Sequence, residues 1–345
     1  MNRRGLGNPE GVGPMSQLRR VGVVVHPGRP PAAELGKQLA GWAEEHGIEL
    51  RALASERGCV GDDVPCVEAA EFADGLDLVV ALGGDGTLLR ALGLVLTAQV
   101  PALGVNAGRL GFLAEVEPHG LTDALDAVLA GRYQVERRTT LAARVLVDGV
   151  DVAEDLAVND VVLEKAARER LAAVSVRLGD GGPFARYAAD GVMVASPTGS
   201  TAYSFSAGGP IVSPRLDALL LTPIAPHMVF NRSLVLHPDE GVRLEVLPDN
   251  PVIESVDGRA VRELPPGAVV EVRRGRHDAL LVRIERADFY RLVRTKFRLA
   301  DPAATDMVAG EADKLRESPG PGDERGAPVA GRARIAGDVS RASHP

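Results

Sequence analysis

Aromatic side chains are scarce, at 3% of the 345 residues with a single tryptophan, too few for base-stacking platforms on single-stranded nucleic acid. Basic excess is also missing. The net charge is −8, so no electrostatic footprint for a nucleic-acid partner is expected. Only Cys59 and Cys66 occur, without a companion Cys or His pattern, and two reduced thiols in a cytoplasmic protein fit them better than a disulfide or a metal centre. No apolar run approaches the ~18 residues of a membrane span. The arginine-bearing first twenty residues lack the apolar core of a secretory signal, so no membrane partner is expected. Two phosphate-binding signatures are absent as well. There is no Gly-x-x-x-x-Gly-Lys-[Ser/Thr], and in the one strand-linked Gly-x-Gly, Gly84 and Gly86, Leu89 stands where a third glycine would be.

What is present is organised around Gly83-Gly84-Asp85-Gly86-Thr87. The apolar run 76–82 reads as a buried strand and 88–92 as a helix, so the five residues form a strand-to-helix turn. Glycines there are expected to allow positive φ and close approach of a ligand. A helix N-terminus offers free N–H groups and a positive dipole end to phosphate. A carboxylate in such a cradle repels phosphate unless it binds a metal or accepts a proton from an attacking hydroxyl. Alternatively Asp85 supports its own backbone turn. On this stretch alone both readings stand.

The surroundings alternate strand and helix. Residues 21–25 form an apolar strand ending at His26, which either faces a ligand or is a loop residue. Pro31 opens a helix with Leu35, Leu39, Trp42 and Ala43 on one face, closed by Gly47. Strands at 48–53 and 101–105 and helices at 87–97 and 118–130 complete a parallel, Rossmann-like α/β domain. A second glycine turn, Asn106-Ala107-Gly108-Arg109-Leu110-Gly111-Phe112-Leu113, follows the 101–105 strand. Both turns therefore sit at carboxyl ends of strands, where open α/β sheets bind ligands. Beyond Arg137 the period changes to alternation, with hairpin signals such as Asp148-Gly149 and strand candidates up to 279–284, which reads as an all-β sandwich. The expected organisation is a disordered leader at 1–19, the α/β domain at 20–137 plus a closing helix within 287–300 that packs back on it, the β-sandwich at 138–286 and a disordered tail at 301–345.

The sandwich carries a polar stretch running from Asp190-Gly191 through Ser196-Pro197-Thr198-Gly199-Ser200-Thr201-Ala202-Tyr203-Ser204-Phe205-Ser206. Its hydroxyls suit sugar hydroxyls and amides, or else cap their own backbone. Asn159-Asp160 enters an apolar strand ahead of it and can hold ribose, or simply turn the chain.

The glycine turn, Leu110-Gly111-Phe112-Leu113, Asn159-Asp160 and Thr198-Gly199-Ser200-Thr201-Ala202-Tyr203 resemble, in this order, the motifs of the NAD kinase family. The resemblance spans about 21–299. The Gly-Gly-Asp-Gly-Thr turn alone is shared with diacylglycerol and sphingosine kinases and resembles that of phosphofructokinases; the 196–203 stretch is far more specific. The resemblance implies transfer of the γ-phosphoryl of ATP to the adenosine 2′-hydroxyl of NAD, with Mg²⁺ accompanying ATP and no dedicated metal cage. It implies Asp85 as proton acceptor, with Gly84, Gly86, Thr87 and Arg90 beside the nucleotide and its phosphates. Phe112 matches a position near the NAD adenine, and Asn159 and Asp160 match an NAD-contacting pair. Asp190 matches an acid at the nicotinamide end. Thr201, Ala202, Tyr203 and Ser206 match an adenosine-binding segment, with Ser204 and Phe205 inside it. Arg170, Ala225 and Arg259 align with further binding positions. It also implies a homodimer or homotetramer, with NAD between the two domains. Two positions depart: Ala188 stands where several relatives have a basic residue, and Arg259 where bacterial relatives often have Gln. Two rival readings are a lipid kinase, disfavoured by Asn159-Asp160 and the 196–206 hydroxyls, and a non-catalytic NAD(P)-binding regulator, disfavoured by Asp85, because a pure binder gains little from a carboxylate near phosphates.

Overall fold

The valine-rich strand β1 (Arg20–Val25) is apolar and buried on both faces from Val21 onward, as a central parallel strand must be. The computed structural model describes residues 18–108, 111–248, 250–285 and 288–299; the expected leader, up to residue 17, and the tail lie outside them. β2 (Glu49–Leu53) and β3 (Cys66–Val67) extend the sheet on one side of β1, and β4 (Leu78–Gly83) and β5 (Ala102–Asn106) on the other, all parallel. Helices α1 (Pro30–His46) and α3 (Leu121–Leu129) pack on one face, where Leu35, Leu39 and Leu125 meet Val23, Val80 and Leu103. Helix α2 (Asp85–Val95) covers the other, setting Leu88, Ala91 and Val95 on Val24, Val79 and Ala102. The order β3-β2-β1-β4-β5 reverses between β1 and β4. Their carboxyl ends thus form the switch point at which such sheets bind ligands.

The glycine turn sits there, but its glycines act differently from expectation. α2 begins at Asp85 itself, with Gly84 as N-cap at φ −106° and ψ −168°. None of Gly83, Gly84 and Gly86 has positive φ. A side chain at Gly83 would overlap Thr87, whereas Gly84 and Gly86 border open space. Steric access, not left-handed backbone, is what glycine supplies here.

The sandwich is inserted between two strands of the first sheet. β6 (Gln134–Arg138) pairs antiparallel with β19 (Ala279–Arg283), which lies parallel to β5. The sequence grouped the 279–284 strand with the sandwich. It joins the α/β sheet instead, buried throughout its length. Between β6 and β19 the chain forms two six-stranded sheets. One runs β11 (Pro183–Ala189), β10 (Ala172–Leu178), β15 (Val242–Val246), β18 (Val269–Arg274), β7 (Leu141–Val147), β8 (Val150–Ala157). The other runs β14 (Leu234–Leu236), β13 (Leu219–Ile224), β12 (Gly191–Ala195), β9 (Asp160–Lys165), β16 (Val252–Val256), β17 (Arg259–Leu264). Alternate residues such as Val145, Val161, Val174, Val192, Leu219 and Leu244 fill the layer between them. Asp190 stands at the break between β11 and β12. The 196–206 stretch is a 3₁₀ turn at Gly199–Thr201 followed by the helical turn α4 (Tyr203–Ser206). Helix α5 (Phe289–Phe297) falls where a closing helix was expected. The chain divides into two compact units after Phe289, so nearly all of α5 lies in the second.

Candidate functional site

Residues 111–114, after the second glycine turn, lie over the start of α2, and Asp85 holds them there; Arg109 and Leu110 of that turn lie outside the described residues. One carboxylate oxygen accepts the Phe112 N–H at 2.6 Å, and the other accepts those of Leu113 at 3.0 Å and Ala114 at 3.1 Å. Any side chain at residue 111 would overlap this carboxylate, so Gly111 is a packing requirement. From the far side Asn106, the last residue of β5, donates to the Ala114 carbonyl at 3.0 Å. Asp85 therefore supports a neighbouring loop rather than its own turn. A carboxylate offers about four acceptor positions. Donors among the described residues use three, which leaves one on a half-buried group at a helix N-terminus.

Thr87 is buried under Gly83. Arg90 donates to the Val25 carbonyl at 2.8 Å and to the Glu56 carboxylate, whose other oxygen accepts the Val25 N–H at 2.6 Å. Glu56 is 2% exposed. Burial pushes its carboxyl up, against the pull of the Val25 N–H and Arg90. This cluster ties α2 to the end of β1, and the sequence showed no sign of it because 55–75 has no clear period. His26 lies beside Gly83, with its Nδ1 buried and without a hydrogen-bond partner among the described residues.

On the sandwich, a cavity of about 410 Å³ is lined by Asn159, Asp160, Val162, Glu164, Ala202, Tyr203, Ser255, Asp257 and Gly258. Four of these, Asn159, Asp160, Ala202 and Tyr203, are residues the sequence singled out. Asp257, two residues before Arg259, was not among the candidate site residues. It holds φ +48°, rare outside glycine, and its carboxylate accepts the N–H groups of Val158, Asn159 and Asp160 at 3.0, 2.7 and 3.2 Å. Asp160 is 3% exposed, and its carboxyl is pushed up to about 7 by burial, then by Asp257 and Glu164. Tyr203 donates its hydroxyl to Glu164 at 3.0 Å, and burial followed by that carboxylate pushes its phenol up to about 12. The Asn159 side-chain oxygen is buried with no partner among the described residues. A buried acceptor left open in a cavity wall is ready for a ligand donor.

Outside the cavity lining, Asp190 pairs with Lys165, a cation the sequence reading missed. Arg170 bonds Asn250, Ala225 is exposed at φ +44°, and Arg259 is exposed beside Asp257. Several hydroxyls of the 196–206 stretch serve their own fold. Ser196 bonds the Val158 carbonyl at 2.6 Å, Ser200 bonds the Pro197 carbonyl at 2.6 Å, and buried Ser204 meets Thr222 at 3.3 Å. Thr201 and Ala202 are partly exposed, and Phe205 and Ser206 are exposed.

Comparison with known proteins agrees along the chain. The family model for the ATP-NAD kinase N-terminal domain matches residues 62–133, and that for the ATP-NAD kinase C-terminal domain matches 158–284. An NAD kinase of Heliobacterium modesticaldum is 41% identical over 279 residues, covering 81% of this chain and 98% of that protein. NAD kinase 2 of Streptomyces coelicolor is 40% identical over 293 residues, covering 82% and 96%. The crystal structure of yeast NADH kinase complexed with NADH matches with a TM-score of 0.76 at 25% identity, over 83% of this chain and 89% of that one. An Archaeoglobus fulgidus NAD kinase in complex with ATP shares the fold, with a TM-score of 0.64 at 24% identity, over 82% and 100%.

Proposed function

The chain belongs to the ATP-NAD kinase family, and on that premise we propose how its residues divide the work of moving the γ-phosphoryl of ATP to the adenosine 2′-hydroxyl of NAD. The observation that carries the proposal is the Asp85 carboxylate at the start of α2, fixed by three N–H donors with one acceptor position left. A sugar hydroxyl is a poor nucleophile near neutrality, and a fixed carboxylate can take its proton as the bond to phosphorus forms. The open backbone at Gly84 and Gly86 and the α2 N-terminus receive phosphates. The donor would be ATP as its magnesium complex, the metal supplying charge neutralisation for the phosphates while needing few protein ligands.

The cavity at Asp160 takes the nucleoside part of NAD. Its carboxylates and the open Asn159 oxygen accept from ribose hydroxyls and amino groups, and its acidity turns phosphate away. An apolar acceptor such as a lipid finds no match in this lining. A cytoplasmic homodimer or homotetramer completes the reading; free Cys59 and Cys66 suit a reducing compartment. Light scattering after size exclusion should give the mass of a dimer or tetramer; a monomer would remove that part.

The test of the assignment uses purified protein with ATP, Mg²⁺ and NAD, and reads NADP with an NADP-specific dehydrogenase. Asp85→Asn should lose at least about a hundredfold in kcat while calorimetry still detects NAD binding. Wild-type turnover by this variant would remove Asp85 from the proton-acceptor role.

A further inference from the structure

Behind the Asp85 loop lies a network of four charged side chains, two buried arginines and two partly buried glutamates. Arg283, at the end of β19, is 6% exposed. Its guanidinium donates to the Leu113 carbonyl at 2.7 Å and to Glu136 on β6 at 2.7 Å, and reaches Glu115 at 3.3 Å. Glu136 also pairs with Arg138 at 3.0 Å. Arg138 is 5% exposed and reaches the Thr198 hydroxyl at 3.5 Å. Thr198 leads into the Gly199–Thr201 turn, where Gly199 packs so closely on the Asn159 carbonyl that no side chain fits. Burial alone would raise the Glu136 carboxyl, but Arg138 and Arg283 hold it below the usual carboxylate range, so it stays ionised.

Such a network is poorly explained by stability. Buried ion pairs often do no better than apolar side chains of equal volume. What they supply is direction, because a guanidinium fork fixes the groups it binds in its plane. The group at its end is informative. The Leu113 carbonyl and the Ala114 N–H belong to one peptide unit. Arg283 holds its oxygen, and its N–H holds Asp85. Rotating this plane would break both bonds together.

We propose that Arg283 is a positioning residue for Asp85, acting through the Leu113–Ala114 peptide, and that Glu136 and Arg138 tie this peptide to the Thr198 turn on the sandwich. The inference rests on the reading of Asp85 as proton acceptor. It extends that reading to a brace that sets the chemical group and the substrate cavity in register. Misplacing a reacting group by about 1 Å can cost a hundredfold in rate.

The test is a cycle of Arg283→Met and Asp85→Asn, alone and together, on the full chain, reading kcat and KM for NAD and ATP per mole of folded protein. Arg283→Met should lower kcat by about thirtyfold with both KM values within about twofold. Arg283→Lys, which keeps one donor for Leu113, should recover part of the loss. In the Asp85→Asn background, Arg283→Met should cost less than about twofold, because the group it positions is gone. An equal loss in both backgrounds, or a loss carried by KM alone, would overturn the proposal. If Arg283→Met does not fold, Glu136→Gln replaces it; this variant should show the same kcat-only loss on a smaller scale, and an unchanged kcat would be equally fatal. Asp85→Asn with wild-type turnover would end the proton-acceptor reading by itself, whereas Arg283→Met with wild-type kcat would end the positioning proposal and leave that reading standing.

Discussion

Two carboxylates in this protein, Asp85 in the α/β half and Asp257 in the sandwich, each accept three consecutive backbone N–H groups from a neighbouring segment. The hydrogen-bond device is shared, but the electrostatic setting differs. Asp85 stands at a helix N-terminus beside open glycine backbone, a setting that draws anions. Asp257 stands in a left-handed hairpin turn beside Asp160 and shares a cavity wall with Glu164, a setting that repels them. The contrast suggests how one chain keeps a triphosphate and a nucleoside apart. The clamp fixes geometry in both places, and the surrounding charge decides which part of the substrates is welcome.

The comparison breaks most severely at Gly111. Gly111→Ala puts a methyl group into the Asp85 carboxylate, so the loop must move and the clamp opens. Turnover should fall by about 10²–10³-fold, while NAD affinity from calorimetry changes little because the sandwich clamp is untouched. An equal loss in both would mean that the two clamps are not separable. Asp257→Asn should do the reverse. The amide turns donors toward N–H groups that need acceptors, at about 1–3 kcal/mol for each group left unsatisfied. KM for NAD should rise by about tenfold with kcat nearly kept.

How far this division was legible in the sequence differs between the two halves. The Asp85 turn stood out as an acidic residue among glycines after a buried strand, but the stretch alone left a ligand role and a turn-supporting role both open, and only the further motifs favoured the first. Asp257 did not stand out, since an Asp-Gly hairpin reads the same whether its carboxylate faces water or a strand 98 residues away at Asn159. The 279–284 strand was visible as a strand, but a run buried on both faces suits either sheet. The 196–206 hydroxyls looked like a binding surface, yet Ser196, Ser200 and Ser204 spend theirs on internal bonds. Lys165 and Arg283 gave no signal, because their partners lie on distant strands.

A gentler probe asks whether the acidity of the sandwich site is imposed by the fold. The Asp160 carboxyl is pushed from 3.8 up to about 7. Between these values the folded protein binds more protons than the unfolded chain, so this group's contribution makes stability fall as pH rises from about 4 to 7 and stay low above it. Asp160→Asn removes the penalty. Its melting temperature relative to wild type should therefore rise across that window, by a few °C at pH 8 compared with pH 4.5. A difference that is flat with pH would mean that Asp160 is solvated or paired in solution.

The smallest effect is expected at Arg259, the exposed cation whose charge lowers the Asp257 carboxyl while burial raises it. Arg259→Gln keeps a polar side chain and leaves all three N–H bonds to Asp257 in place. If Asp257 acts through those bonds, the variant should change KM for NAD by less than about threefold, since an exposed charge is screened and contributes little. Raising the salt concentration should then erase most of the remaining difference from wild type. A tenfold, salt-independent rise in KM would instead place the Arg259 side chain on the substrate itself, and the sandwich site would then be read by a cation as well as by its acids.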